Sequence, residues 1–149
     1  MAGGLFLLDT NVLIRWVQHE ASEYSLIKNS IQHLVNAGGA PCYTAQNLSE
    51  FWNVLTRPVK NNGYELSIEQ ADARAKYIET SLQLLLDNHD VYRVWRDLLV
   101  AHSIRGVQVH DARLVAAMQV HGVRKILTFN TRDFARYTLI EALHPAEVQ

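Results

Sequence analysis

The sequence predicts an α/β domain in which a mostly parallel sheet is covered by helices on both faces. Three observations carry that reading. Leu5-Phe6-Leu7-Leu8 is a continuous apolar run of the kind needed by a strand buried on both faces. Short apolar runs recur at 40–44, 82–86 and 125–128, separated by stretches with helical periodicity. Strands that alternate with helices imply βαβ crossovers, and such crossovers build parallel sheets.

The first run ends in Asp9-Thr10-Asn11. All three residue types accept hydrogen bonds from the free N–H groups of a helix start, so Asp9 can be read as a cap. An acid at the C-terminal end of a buried parallel strand also stands where open sheets place their ligand crevice. Both readings of Asp9 stay open at this point.

Val12, Leu13, Trp16 and Val17 recur at helical spacing, and Tyr24, Ile27, Ile31 and Leu34 repeat the pattern up to Gly38-Gly39. Ala40 to Thr44 reads as a strand, with Pro41 tolerated among its first residues. Thr44 can cap a helix whose stripe is Leu48, Phe51, Trp52 and Leu55, and Arg57-Pro58 stops that helix. After the loop Asn61-Asn62-Gly63, Ser67-Ile68-Glu69-Gln70 has the capping-box form and predicts a helix to about Ser81. A third strand is expected within Leu82–Leu86. Val91, Val94, Trp95, Leu98 and Leu99 mark another amphipathic helix, followed by a loop from Ser103 to Val109 around Gly106. A helix then runs from His110 to Gly122, a strand from Lys125 to Thr128, and a last strand is expected at Thr138-Leu139-Ile140.

Composition narrows the function classes. A chain of 149 residues with 48% apolar content fits one domain with one substantial core, so residues 1–149 are read as a single unit. The 14 Lys and Arg against 15 Asp and Glu give no global electrostatic case for nucleic acid or membrane. Contacts to RNA, if any, must be local. Cys42 is the only cysteine, which excludes an internal disulfide, and it reads as a small core residue. No apolar segment approaches the roughly 20 residues of a membrane span, and Met1-Ala2-Gly3-Gly4 lacks the features of a signal peptide. A cytoplasmic protein is expected.

Three further acids stand out. Asp111 precedes Leu114, Val115 and Met118 by helical intervals, so it shares a face with core candidates. A carboxylate there must cap the helix, pair with a base such as Arg113, or bind a cation. Asp133 follows the Lys125–Thr128 strand by a short turn, which puts it on the same sheet rim as Asp9. The helix carrying Asp111 feeds that strand through Gly122, and its N-terminus is expected at the opposite edge unless the preceding loop carries it across. Glu50 lies nearly opposite its helix's apolar stripe, so periodicity assigns it to solvent.

Four motifs, in order, resemble the acidic motifs of PIN-domain ribonucleases: Leu8-Asp9-Thr10-Asn11-Val12-Leu13-Ile14, Asn47-Leu48-Ser49-Glu50-Phe51, His110-Asp111-Ala112-Arg113-Leu114-Val115-Ala116-Ala117 and Thr128-Phe129-Asn130-Thr131-Arg132-Asp133-Phe134. They span nearly the whole chain, and the likeness is greatest to the VapC-type toxins of bacterial toxin–antitoxin modules. The resemblance implies a three-layer α/β/α sandwich with a Mg²⁺ or Mn²⁺ site surrounded by Asp9, Glu50, Asp111 and an acid of the last motif. It implies direct ligation by Asp9 and Asp111, with ligation through water or base roles for Glu50 and Asp133. Thr10, Asn11, Thr128 and Asn130 would order the water shell. In the family the last motif often has an acid where this chain has Asn130; an amide brings no charge, which weighs against a second tightly held metal. The implied substrate is single-stranded or looped RNA, whose backbone can bend into a cleft. The implied partners are a cognate antitoxin and a second copy of the chain. Trp16, Trp52 and Trp95 default to core packing, with the dimer surface and antitoxin groove as their alternative.

Other classes fit less well. The His110-Asp111 doublet of all-α metal phosphohydrolases conflicts with the strands at Leu5–Leu8 and Lys125–Thr128. Haloacid-dehalogenase-like phosphatases need an acid at the position of Asn11. A catalytically silent binding module is the rival reading, and Asn130 favours it.

Arg15, Arg113 and Arg132, with Arg57, Lys60 and Arg136, are the available phosphate contacts. So few cations predict a shallow dependence of RNA affinity on salt, measurable as the slope of log K against log[salt] in a filter-binding titration.

Overall fold

A computed structural model of the chain describes residues 4–149; Met1–Gly3, part of the N-terminal stretch read above, lie outside the described residues. Its strands are β1 (Leu5–Leu8), β2 (Ala40–Thr44), β3 (Gln83–Leu85), β4 (Lys125–Leu127) and β5 (Glu141–Leu143). Its helices are α1 (Thr10–Trp16), α2 (Tyr24–Asn36), α3 (Ala45–Thr56), α4 (Ile68–Ser81), α5 (His89–Ala101) and α6 (Gln108–Val120). The five strands form one sheet in the order β3-β2-β1-β4-β5, and every neighbouring pair is parallel.

Strand alternation divides the core. Phe6 and Leu8 of β1 pack among Leu13, Ile27, Ile31, Phe51, Leu55 and Ile78 on the face covered by α1 to α4. Leu7 points the other way, towards Val91, Val115, Met118 and Phe134 beside α5 and α6. Each large side chain buried in this way contributes about 1.5–3 kcal/mol. Cys42 is buried beside Leu7, and burial pushes its thiol up to about 12, so it is a core residue as expected. No described helix is long and apolar enough to cross a membrane.

Local chemistry explains the boundaries. The Thr44 hydroxyl accepts from Asn47 N while the Asn47 side chain accepts from Thr44 N, a reciprocal box that starts α3. Ser67 and Gln70 do the same for α4, as the sequence predicts. Gly122 leaves α6 at φ +71, and the Val123 N–H returns to the Met118 carbonyl at 2.8 Å.

Several expectations are corrected. The last strand is Glu141–Leu143, because Glu141 pairs opposite Lys125 and its N–H reaches the Arg124 carbonyl at 2.7 Å. Thr138-Leu139-Ile140 is β-branched at both ends but forms the preceding turn, with Leu139 67% exposed. Helix α6 starts at Gln108, two residues before His110, so the preceding loop ends at Val107. Helix α5 starts at His89, where Asn88 caps it by accepting from Val91 N. Trp16, Trp52 and Trp95 are half-buried, at the margins of the two cores.

Thr44→Ala removes one half of the α3 capping box. It is expected to cost about 1 kcal/mol, which for a domain of this size lowers Tm by about 2–4 °C, read by thermal denaturation.

Candidate metal centre

The chain leaves β1 in two directions: through β2 to β3 on one side, then back to β4 and β5 on the other. The switch point therefore falls between β1 and β4, and a crevice opens there beyond the C-terminal ends of the strands. Asp9 sits at that point, only 8% exposed, one residue past β1. Its N–H donates to the Leu127 carbonyl at 3.0 Å, extending the β1–β4 ladder by one bond.

Both carboxylate oxygens of Asp9 are held. Oδ1 accepts from Thr10 N at 2.8 Å, and Oδ2 accepts from the Thr128 hydroxyl at 2.7 Å. Thr128 is itself buried and fixed: its N–H donates to the Leu143 carbonyl, and its hydroxyl accepts from Asn130 N at 2.9 Å. Asp9 is thus the cap of α1 and also a group aimed into the crevice. Burial raises its pKa most, the Thr128 and Thr10 bonds oppose that, and the charges of Glu50 and Asp133 raise it further.

Asp111 stands in the first turn of α6, on the same rim. The expectation that the α6 N-terminus falls at the opposite edge was wrong about direction. A crossover helix runs antiparallel to the strand it feeds, so a helix that ends at the start of β4 must begin near its end. Asp111 is half-buried and makes no bond to Arg113, whose Nη2 reaches Asp87 Oδ2 instead. Burial, followed by repulsion from Asp9, Asp133 and Glu50, pushes Asp111 up to about 7, with Arg136 pulling weakly the other way.

Glu50 is not the solvent-facing residue that periodicity assigns. It is half-buried, with Oε2 3.5 Å from the Thr10 hydroxyl and Oε1 accepting from Gln46 Nε2 at 2.9 Å. Asp133 is exposed in a short 3-10 turn (Thr131–Phe134), close enough for its charge to act on both Asp9 and Asp111. Asn11 is half-buried, and the exposed Asn130 contributes its N–H to Thr128. Among the cations, Arg15 bonds Glu23 at 3.3 Å and lies over the Phe129 ring, whereas the exposed Arg132 forms no ion pair among the described residues.

Two residues that shape the site escape sequence reasoning. Gln46 Nε2 also donates to the His110 carbonyl at 2.9 Å, joining α3 to the start of α6. Asn47, fully buried, donates from Nδ2 to the Thr10 hydroxyl at 3.2 Å. Asn47 has a sequence signal in the Thr44-x-x-Asn47 box; Gln46 has none beyond its place four residues before Glu50.

The donor chemistry suits a hard divalent cation. Each Asp9 oxygen keeps acceptor capacity beyond the one bond it makes, and the neighbouring acids repel one another unless a cation or proton intervenes. Among the described residues, no three His, Cys, Asp or Glu side chains are grouped closely enough to ligate one ion directly. The arrangement therefore fits an ion such as Mg²⁺ that keeps several waters and takes one or two carboxylates.

A five-stranded parallel sheet clad by helices, with carboxylates gathered at its switch point, defines a class: an α/β/α domain with an acidic centre open to solvent. The PIN domain family profile matches residues 6–139, and the chain belongs to the PIN domain family. Solved structures with a similar fold include VapBC2 from Rickettsia felis bound to a promoter DNA fragment (TM-score 0.69, 14% identity, 94% of this chain and 98% of that one). Another is DNA-bound VapBC from Salmonella typhimurium (0.67, 19%, 97% and 99%). A third is the Sarcin-Ricin loop cleaving toxin VapC20 of Mycobacterium tuberculosis (0.65, 18%, 89% and 95%). No curated protein sequence matches the chain significantly.

The Asp111 shift sets a stability profile for the metal-free protein. Its carboxyl titrates near 7 when folded and near 3.9 when unfolded, so between these values the native state holds the extra proton. Stability then falls as pH rises from about 4 to about 7. Thermal melts in EDTA across that range are expected to show this decline. Asp111→Asn should reduce the decline, leaving the part that the raised Asp9 carboxyl contributes, and raise Tm at pH 8, and millimolar Mg²⁺ should raise the Tm of the wild type but not of the variant.

Proposed function

We propose that this chain is a Mg²⁺- or Mn²⁺-dependent endoribonuclease that cleaves single-stranded or looped RNA, and that it serves as the toxin of a cytoplasmic toxin–antitoxin pair. In this reading residues 1–149 form one PIN-type unit. The observation that carries it is the buried Asp9 at the switch point, facing the charges of Glu50 and Asp133. No Lys or Arg forms an ion pair with Asp9, Glu50, Asp111 or Asp133 among the described residues. Acids gathered without a base are matched in chemistry to a cation they share.

Asp9 and Asp111 would hold the ion, which when bound lowers the pKa of a water and offsets charge on the phosphate oxygens. Thr10 N and Thr128 Oγ1 fix the Asp9 carboxylate in one orientation. Glu50, held by Gln46, is placed to order a water or accept its proton, and Asp133 to do so from the opposite lip. Asn11 and Asn130 supply amide groups that can orient further waters. Arg132, unpaired and exposed beside Asp133, is best placed to meet an RNA phosphate; Arg15 and Arg113 already have carboxylate partners.

The toxin role draws on the fold shared with the VapBC complexes. A cognate antitoxin and a second copy of the chain are the partners in this reading. Exposed Val59, Tyr64, Ile68 and Tyr77, before and along α4, supply apolar surface for such contacts. Asn130 favours a second reading, a silent module that binds RNA or protein without cutting, because an amide there adds no charge to the centre.

Cleavage of a single-stranded RNA distinguishes the two. Activity should require Mg²⁺ or Mn²⁺ and vanish in EDTA and in Asp9→Asn. Thr128→Val, which frees Asp9 Oδ2, should reduce activity or metal affinity about 10–100-fold. Unchanged cleavage in EDTA and in Asp9→Asn would sink the metal mechanism, and no cleavage in any condition would leave the silent module.

A further inference from the structure

A second cleft, of about 430 Å³, adjoins the acidic centre and takes no part in the chemistry above. It lies at the start of α5 and α6, lined by Asp87, Asn88, Tyr92, Trp95, His110 and Arg113 among others. His110 and Arg113 also line the smaller hollow of about 320 Å³ that contains Gln46 and Glu50. The two hollows thus share a wall one residue from Asp111. We propose that the larger cleft is a guanine-binding subsite, which seats a base of single-stranded RNA next to the phosphate presented to the acids. The inference rests on the ribonuclease reading and adds base selectivity to it.

Three features point to a base. One wall is aromatic: Tyr92 of α5 is 55% exposed, and its ring stands 6.1 Å from that of Trp95 on the same helix, in an edge-on arrangement. Trp95 is anchored because its indole N–H donates to the Val109 carbonyl at 3.0 Å, so this wall is rigid before anything binds. Exposed aromatic faces on a rigid frame are what unstacked bases use as platforms.

The polar edge selects an uncharged ligand over a phosphate. Arg113 Nη2 bonds Asp87 Oδ2 at 2.5 Å, so the pair is close to neutral and offers no net attraction to an anion. It does present a carboxylate acceptor beside a guanidinium donor. Guanine matches that order, since its N1–H and exocyclic amino group donate next to the O6 acceptor. Adenine offers the reverse pattern on the same edge. Uracil also sets a donor, N3–H, beside O4 but has no adjacent amino group, so it makes one bond fewer to the carboxylate than guanine, and cytosine has no ring N–H to donate. The remaining oxygen of Asp87, Oδ1, makes no hydrogen bond among the described residues and is free for the base.

The test uses the Asp9→Asn chain in EDTA, so that binding is read without cleavage, with fluorescein-labelled UUGUU and UUAUU oligoribonucleotides followed by anisotropy. The guanosine oligomer is expected to bind at least about 10-fold tighter. Adding Asp87→Asn should bring the two affinities within about 3-fold, chiefly by weakening the guanosine oligomer. Adding Tyr92→Ala should weaken both oligomers about 5-fold or more through lost stacking. Circular dichroism melts of both variants check that they fold; both substitutions are at exposed positions. Equal affinity for the two oligomers, or a preference that survives Asp87→Asn, overturns the subsite while leaving the nuclease intact. Binding unaffected by Tyr92→Ala assigns the cleft to another occupant, such as a protein segment, and also overturns it. A chain that neither binds nor cleaves single-stranded RNA ends the ribonuclease reading together with this one.

Discussion

The hydrogen bond from Thr128 to Asp9 is the contact on which the acidic centre depends. It ties the residue after β4 to the residue after β1, across the one place in the sheet where the chain reverses its order. A carboxylate that is 8% exposed would escape its desolvation cost by turning to solvent or taking up a proton. The Thr128 hydroxyl and the Thr10 N–H hold it facing the crevice. Thr128 can do this because β5 pins its N–H and the following turn pins its hydroxyl from the other side. The last, short strand of the sheet therefore has a part in aiming the first acid of the chain.

Around that acid the protein accepts electrostatic strain in place of neutralisation. Arg15 is committed to Glu23 and Arg113 to Asp87, so neither guanidinium pairs with the carboxylates of the centre. Arg136 acts on Asp111 only weakly, behind burial and the repulsion of three other acids. A permanent ion pair would stabilise the empty site but would compete with any incoming cation. With nearly balanced overall charge, the negative potential is local to the rim, and the exposed Arg132, which forms no ion pair among the described residues, stands next to Asp133 at its edge.

Much of this architecture was legible because it is written in local rules. Continuous apolar runs and helical periodicity, the Thr44 cap, the Ser67 box and Gly122 fix most element boundaries to within a residue or two. What escaped was non-local. Glu50 looked solvent-facing because periodicity knows only its own helix; it is half-buried because α1 and Gln46 close over it. Asp111 was set on the wrong rim by treating the helix as parallel to the strand it precedes. The segment Thr138-Leu139-Ile140 has strand composition, yet the register with β4 selects Glu141–Leu143. The four acids could be joined from sequence only through the PIN resemblance, since no spacing rule connects positions a hundred residues apart.

Gln46 shows how the centre and its surroundings form one frame. A single amide group bonds the Glu50 carboxylate and the His110 carbonyl, so α3 and the first turn of α6 are held at a set separation. Residue 111 follows that carbonyl directly, and Trp95 of α5 grips the same turn from the other side through Val109. The α6 N-terminus is thereby clamped between two helices, although no side chain caps it. Clamping matters because the free N–H groups of an uncapped helix start favour nearby negative charge. The positive end of α6 is then held where Asp111 and its acidic neighbours meet, and it offsets part of their repulsion without placing a competing cation in the crevice.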